Sequence, residues 1–274
     1  MKKCVIFYFS GTGNTKWVAD NVKESLDSRN IEAKAVSIES VSKADIISYI
    51  ESSDIIGFGY PIYGSDLPEP MKRFIDNLQN STIKISAFVF CTQMGFSGDG
   101  SFVYEKALKS KGFNVLQTAH INMPNNISIS PYPFRILPPV KKAKVLKLAK
   151  AKSDNFAEFI ISGKKHYNGK YGYLLGILQR GPYRAAYKSF QDLLSVDAEK
   201  CTKCGRCAPL CPVNNIRLID ELPSFNKQCA QCLRCYNFCP TMAIMYNGKL
   251  HNDKKQPYLG PDKSFKPEHL KRNS

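Results

Sequence analysis

The sequence predicts a doubly wound α/β domain with a five-stranded parallel sheet, joined by a helical connector to a small α+β domain organised by cysteines. Three observations predict it. Over residues 3 to 120, strand-like and helix-like stretches alternate, as in successive βαβ units. The first strand runs into a loop of glycines and hydroxyls, Ser10-Gly11-Thr12-Gly13-Asn14-Thr15, that opens the first helix. Towards the other end, eight of the ten cysteines fall into two runs of identical spacing.

Taken in order, Cys4 to Phe9 is a continuous apolar run, expected of a parallel strand covered on both faces. Thr15 to Ser28 reads as a helix with Trp17, Val18, Val22 and Leu26 on one side. Ile31 to Ile38 is a second strand and Ala44 to Ile50 a short helix. Asp54 to Tyr60 is a third strand, followed by a helix over Glu69 to Leu78 that Pro68 and Pro70 open. A strand over Ile83 to Cys91, a helix from about Gly100 and a strand over Phe113 to Ile121 complete five strands. Cys4 and Cys91 read as packed thiols.

In the Ser10–Thr15 loop, glycines let the backbone curl so that amides and hydroxyls converge at a helix N-terminus, which makes an anion site. There is no lysine in the P-loop position and no dinucleotide glycine fingerprint. Neutral donors without a lysine suit a doubly charged phosphate monoester. Two further loops leave the same edge of the sheet: Tyr60-Pro61-Ile62-Tyr63-Gly64 after the third strand, and Thr92-Gln93-Met94-Gly95-Phe96 after the fourth. The plainer readings are a glycine turn without function and tyrosines that fill the core.

The cysteine runs are Cys201-x2-Cys204-x2-Cys207-x3-Cys211-Pro212 and Cys229-x2-Cys232-x2-Cys235-x3-Cys239-Pro240, repeating after 28 residues. This is the spacing with which bacterial ferredoxins hold [4Fe–4S] clusters. Zinc sites usually separate two ligand pairs by a long gap, so two clusters fit far better than two zinc ions. Few apolar residues accompany the cysteines, chiefly Val196, Val213, Ile216, Leu218, Phe225, Ile244 and Met245. A segment of that size and content needs its clusters to fold.

On these residues the first 120 or so positions resemble the flavodoxins, whose phosphate loop reads Ser/Thr-x-Thr-Gly-x-Thr. The resemblance implies strand order 2-1-3-4-5 and FMN as cofactor. Ser10, Gly11, Thr12, Gly13, Asn14 and Thr15 would take its phosphate, and Tyr60 to Gly64 and Thr92 to Phe96 would flank its ring, with Tyr63 or Tyr60 stacking on it. The cysteine region resembles the two-cluster bacterial ferredoxins, in which the fourth cysteine of each run crosses to the other cluster. That likeness assigns Cys201, Cys204, Cys207 and Cys239 to one [4Fe–4S] cluster and Cys229, Cys232, Cys235 and Cys211 to the second. The whole resembles the flavodoxin–ferredoxin fusion proteins of anaerobes, the EFR-type ferredoxins. The chain reads as four segments: an FMN domain over 1–121, a basic connector over 122–195, a cluster domain over 196–248 and a basic tail over 249–274.

In the connector, Asn122 to Asn126 and Pro131-Tyr132-Pro133 read as a rigid exit from the sheet. Val140 to Ile161 reads as a basic amphipathic helix with Val140, Val145, Leu148, Phe156 and Phe159 as its apolar set. Leu174 to Val196 reads as a second, broken at Gly181-Pro182, with Tyr173, Tyr183 and Tyr187 available to pack. The tail reads as an irregular wrap or as disordered. Residues 1 to 120 are neutral, with 13 Lys+Arg against 13 Asp+Glu, so the net +16 lies entirely beyond them. The plainer reading is a solvated face on bracing helices that dock the two cofactor domains; a docking patch for an acidic redox partner comes next, and lipid and nucleic acid are the remaining readings, nucleic acid being the least expected. With no transmembrane run and no cleavable leader, the chain reads as cytoplasmic, with a homodimer left open. The expected function is electron transfer between FMN and two [4Fe–4S] clusters. The alternatives are a flavin reductase of a quinone, nitro compound or activated alkene, and a redox adaptor on a larger complex.

Overall fold

A computed structural model of the chain describes residues 1–80, 84–130 and 132–271. The expected strand start at Ile83, the exit residue Pro131 and the last three tail residues lie outside the described residues. Strand β1 (Lys2–Tyr8) leads into helix α1 (Asn14–Asp27), β2 (Ile31–Ser37), α2 (Lys43–Glu51), β3 (Ile55–Pro61), α3 (Glu69–Asp76), β4 (Ile85–Gln93), α4 (Glu105–Ser110) and β5 (Phe113–Asn122). The sheet is parallel in the order β2-β1-β3-β4-β5. This is the flavodoxin-like doubly wound fold, and its switch point between β1 and β3 opens at the carboxyl ends of the strands, where the three loops emerge.

Local chemistry explains the boundaries. The side chain of Ser42 caps α2 by accepting the Asp45 amide at 3.1 Å. Pro70 stands in the first turn of α3, where its missing N–H costs no helical bond. The helix expected from Gly100 begins at Glu105, because residues 98–104 form consecutive turns.

The sheet's packing does not end with β5. Helix α5 (Pro139–Ser162) lies against α1 and β5, with Ala149, Phe156, Ala157 and Ile160 buried in the same core as Val18, Val22 and Leu26. Small residues at Ala149, Ser153 and Ala157 allow the close approach. Of the apolar set expected there, Val140 and Leu148 face solvent. A short sixth strand, β6 (His166–Tyr167), then pairs parallel with β5. The α1 and α5 layer covers one face of the sheet. The other face buries Phe7, Phe58, Met71, Ile75 and Leu108 beneath α2, α3 and α4.

Helix α6 (Tyr173–Phe190) follows, and Pro182 does not break it. Gly181 and Pro182 are exposed, so water can satisfy the carbonyl that the proline leaves without a donor. Beyond it, β7 (Leu194–Val196), β8 (Ile216–Ile219), β9 (Leu222–Phe225), α7 (Arg234–Asn237) and β10 (Ile244–Tyr246) build the small cysteine domain. Its two ribbons are antiparallel, β7 with β10 and β8 with β9. Ile216, Ile244, Tyr236 and Tyr246 form its core with Ile129 from the main sheet's exit, whereas Leu218 is exposed. The tail is an ordered wrap through Lys271: Tyr258 is fully buried and Leu270 nearly so.

Candidate functional site

The loop between β1 and α1 curls as its glycines predict. Gly13 takes φ +100° to set the first turn of α1, a backbone state that a side chain would disfavour. Ser10, Thr12, Asn14 and Thr15 are all buried. The Ser10 hydroxyl accepts from the amides of Gly13 and Lys16, both at 3.2 Å. Asn126 donates to the Thr12 hydroxyl at 2.7 Å, Asn14 donates to the Pro124 carbonyl at 2.9 Å, and the Thr15 and Thr92 hydroxyls pair at 2.8 Å. The segment leaving β5 therefore closes over the loop. Among the described residues no acceptor takes the amides of Gly11, Thr12, Asn14 or Thr15. Orphan amides converging at the start of a 14-residue helix fit a phosphate.

The other two expected loops divide. Tyr60 is core: 1% exposed, its hydroxyl donates to the Gly100 carbonyl at 3.1 Å, so it is not available to stack on a ring. Tyr63 lies beside the phosphate loop, where a Cβ on Gly11 would stand 2.6 Å from its hydroxyl oxygen. That hydroxyl is buried with no partner, and so are the Gln231 amide nitrogen and the Ser128 hydroxyl. A cavity of about 270 Å³ opens here between Ile62, Tyr63 and Gly64 on one side and Gln231, Cys232 and Leu233 on the other. In the 92–96 loop, Thr92 is buried against Thr15, but Met94 and Phe96 are exposed and do not line this cavity. Gln93 donates to the carbonyl of Gly95 at 2.7 Å and so holds that loop outward. The cavity is thus walled by Tyr63 and the cysteine domain rather than by two aromatic loops.

The cysteines gather around two hollows. Cys201, Cys204, Cys207 and Cys239 line one, together with Cys235. Cys211, Cys229, Cys232 and Cys235 line the other. The 28-residue repeat extends to the backbone: Lys203 and Gln231, Gly205 and Leu233, and Asn214 and Met242 all take positive φ. The Asn215 amide donates to Cys211 Sγ at 3.1 Å, and its counterpart, the Ala243 amide, donates to Cys239 Sγ at 3.3 Å. Among the described residues no three His, Cys, Asp or Glu side chains surround one point closely enough to hold a single ion. A cubane binds its thiolates through separate irons, so it asks for wider spacing than one zinc would. Burial pushes the Cys207 and Cys229 thiols up to about 11 and Cys232 to about 12. They stay protonated until iron displaces the proton.

Between the phosphate loop and the second hollow lies Arg234, with no exposed surface. It donates to the carbonyls of Gly11 at 2.9 Å and Ser10 at 2.6 Å, and to both Glu39 oxygens at 2.5 and 2.8 Å. It also reaches the carbonyls of Leu210 and Leu270. The tail completes the enclosure: the Tyr258 hydroxyl donates to Asn14 at 2.5 Å and Phe265 covers Gly13. Sequence reading passed over Arg234, Glu39, Asn126 and Tyr258. Arg234 had one signal, the matching Arg206 at the same repeat position, but Arg206 lies at the surface beside Glu268. Nothing in the composition separates the two.

Residues 5–124 match the family model described as a flavodoxin domain, and residues 194–217 match a 4Fe-4S binding domain. A flavodoxin from Maridesulfovibrio salexigens is 33% identical over 87 residues, 31% of this chain and 58% of that protein. One from Clostridium saccharobutylicum is 36% identical over 75 residues, 27% of this chain and 44% of that protein. The chain thus spans about half the length of these two relatives. Among solved structures, a flavodoxin from the domain Archaea aligns with 58% of this chain and 99% of its own at 19% identity, with a TM-score of 0.40. Flavodoxin domain and 4Fe-4S motif in one chain are the parts of an electron-transfer iron–sulfur flavoprotein.

Proposed function

We propose that this chain couples FMN to two [4Fe–4S] clusters held by the crossed cysteine sets, as an electron carrier with both cofactors in one polypeptide. The observation that carries the reading is the contact between the two loops. A Cβ on Gly11 would stand 3.2 Å from the Cys232 carbonyl oxygen, so phosphate loop and cluster loop touch within the chain. The crossed assignment is supported by the two hollows: Cys239 lines the first with Cys201, Cys204 and Cys207, and Cys211 lines the second with Cys229 and Cys232, while Cys235 borders both.

When bound, FMN would supply two-electron redox chemistry and the clusters one-electron steps. The amides of residues 11 to 15 would hold the phosphate. Tyr63, Gly64, Gln231 and Cys232 would flank the ring, and the orphaned Tyr63 hydroxyl and Gln231 amide supply polar partners for it. Arg234 keeps the two loops in register, while Phe265 and Tyr258 exclude water from the phosphate end. A substrate-reducing enzyme would need a proton donor in that cavity. Burial, with Cys232 nearby, holds the Tyr63 hydroxyl well above its ordinary range, which makes it a poor one. The carrier reading is therefore preferred to the reductase alternative.

Anaerobic purification with iron, sulfide and FMN counted per chain tests this directly. About eight iron and one FMN are expected. Four iron, or no flavin, sinks the coupled reading, and substrate-dependent turnover with a quinone, nitro or alkene acceptor replaces the carrier by the enzyme.

A further inference from the structure

The first half of α6 leaves an apolar surface bare. Tyr171 is 96% exposed, Leu174 75% and Leu178 70%, and Tyr173, Leu175 and Ile177 are exposed with them. Between Tyr171 and Gln179 there is no charged residue. The helix faces the sheet domain through Gly172 and Gly176, which abut Gly98, and through Arg180, which is paired with Asp99. Its large side chains therefore point away from the molecule. The loop that abuts α6 at Gly98 adds exposed Met94 and Phe96.

The charge along this stretch of chain is of one sign. From residue 159 to residue 191 there is no Asp or Glu, and there are six basic residues. Arg180 and Arg184 are consumed by Asp99 and Asp66. Lys164, Lys165, Lys170 and Lys188 are exposed, and among the described residues no carboxylate pairs with them. Aliphatic side chains that protrude, tyrosines beside them and unpaired lysines in the same stretch of chain are the chemistry of a segment that lies in a lipid interface. A second copy of the chain would bring the same positively charged segment against this one. No helix among the described residues is long and apolar enough to cross a bilayer.

We infer that the Tyr171–Leu178 surface docks on an anionic bilayer, with Leu174 and Leu178 entering the acyl boundary and Lys164, Lys165 and Lys170 meeting headgroup phosphates. The surface lies on the 92–98 side of the sheet, so docking sets that loop against the membrane.

The test is flotation of the purified holoprotein with vesicles of phosphatidylcholine alone or mixed with phosphatidylglycerol, at low and high salt. Binding is expected only to the mixed vesicles, weakening with salt. The double variant Leu174→Ser/Leu178→Ser and the triple Lys164→Gln/Lys165→Gln/Lys170→Gln should each lower the partition coefficient by about tenfold or more. All five positions are exposed, and unchanged cluster and flavin absorbance verifies the fold. Absence of binding to either vesicle overturns the inference. Binding that the leucine variant leaves intact overturns it too, since charge alone then suffices. Self-association that the leucine variant abolishes, without vesicle binding, replaces the membrane by a second copy of the chain.

Discussion

Arg234 and Glu39 are both removed from water, at 0% and 5% side-chain exposure, and the guanidinium also serves four carbonyls from three parts of the chain. Burial works against its charge, and the Glu39 carboxylate more than offsets that. Removing one partner strands the other, so Arg234→Gln should cost about 3–5 kcal/mol and release FMN, as read by thermal unfolding and flavin fluorescence. Adding Glu39→Gln should recover part of the loss; a double variant no better than the single would show that the pairing is not what matters. His120 makes a separate prediction. Its Nε2 accepts the Ser101 amide at 3.1 Å, and burial, aided by Lys152, pulls its pKa from 6.5 down to about 4. A depressed base stabilises the fold above its unfolded pKa and loses that contribution as pH falls. Denaturation between about pH 6.5 and pH 4 should therefore show a fall on the order of 3 kcal/mol that His120→Gln flattens.

Among the elements, the tail between Gln256 and Lys271 contributes most beyond its size. Tyr258, Phe265 and the Leu270 carbonyl all close on the loop at residues 10–14 or on Arg234. A chain ending at Gln256 should keep its iron but hold FMN at least about tenfold more weakly, since an enclosed anion site becomes open to water. Equal FMN affinity in equilibrium dialysis would show that the wrap is only packing. Helix α5 illustrates how an element can be legible in extent and only partly in face. Its span was readable to within one residue at each end and Phe156 is buried as expected, yet Val140 and Leu148 point to water while Ala149 and Ala157 join the buried contact. Small residues carry little hydrophobic signal, so a pattern search favours larger side chains such as Leu148 over the alanines beside them.

At the scale of the whole molecule, the two cofactor regions share a wall. Cys232 packs in the same cluster as Phe7, Tyr60 and Met71, so the cysteine domain is seated on the sheet rather than tethered to it. Each run also lends its last cysteine to the other hollow. Cys239→Ala should consequently lower iron from about eight to about four per chain and leave FMN bound, measured by iron and flavin content after anaerobic purification. Losing flavin while retaining all the iron would overturn the assignment of the two regions.

By itself the sequence determined what depends on short-range pattern. Alternating strands and helices, the glycine loop at Ser10 to Thr15 and the cysteine spacing are local, because steric and ligand geometry act over a few residues. The strand order β2-β1-β3-β4-β5 followed from the same pattern through the likeness it carried. Only the tertiary structure decided which residues meet across long separations. It put Tyr60 in the core and Tyr63 at the cavity, although both are tyrosines three residues apart. It buried Arg234 while exposing Arg206, its twin in the repeat, and it left the leucines of α6 in water. Burial is a property of the assembled chain: hydrophobic and electrostatic free energies depend on what else is excluded from water at that point, and no local window contains that information.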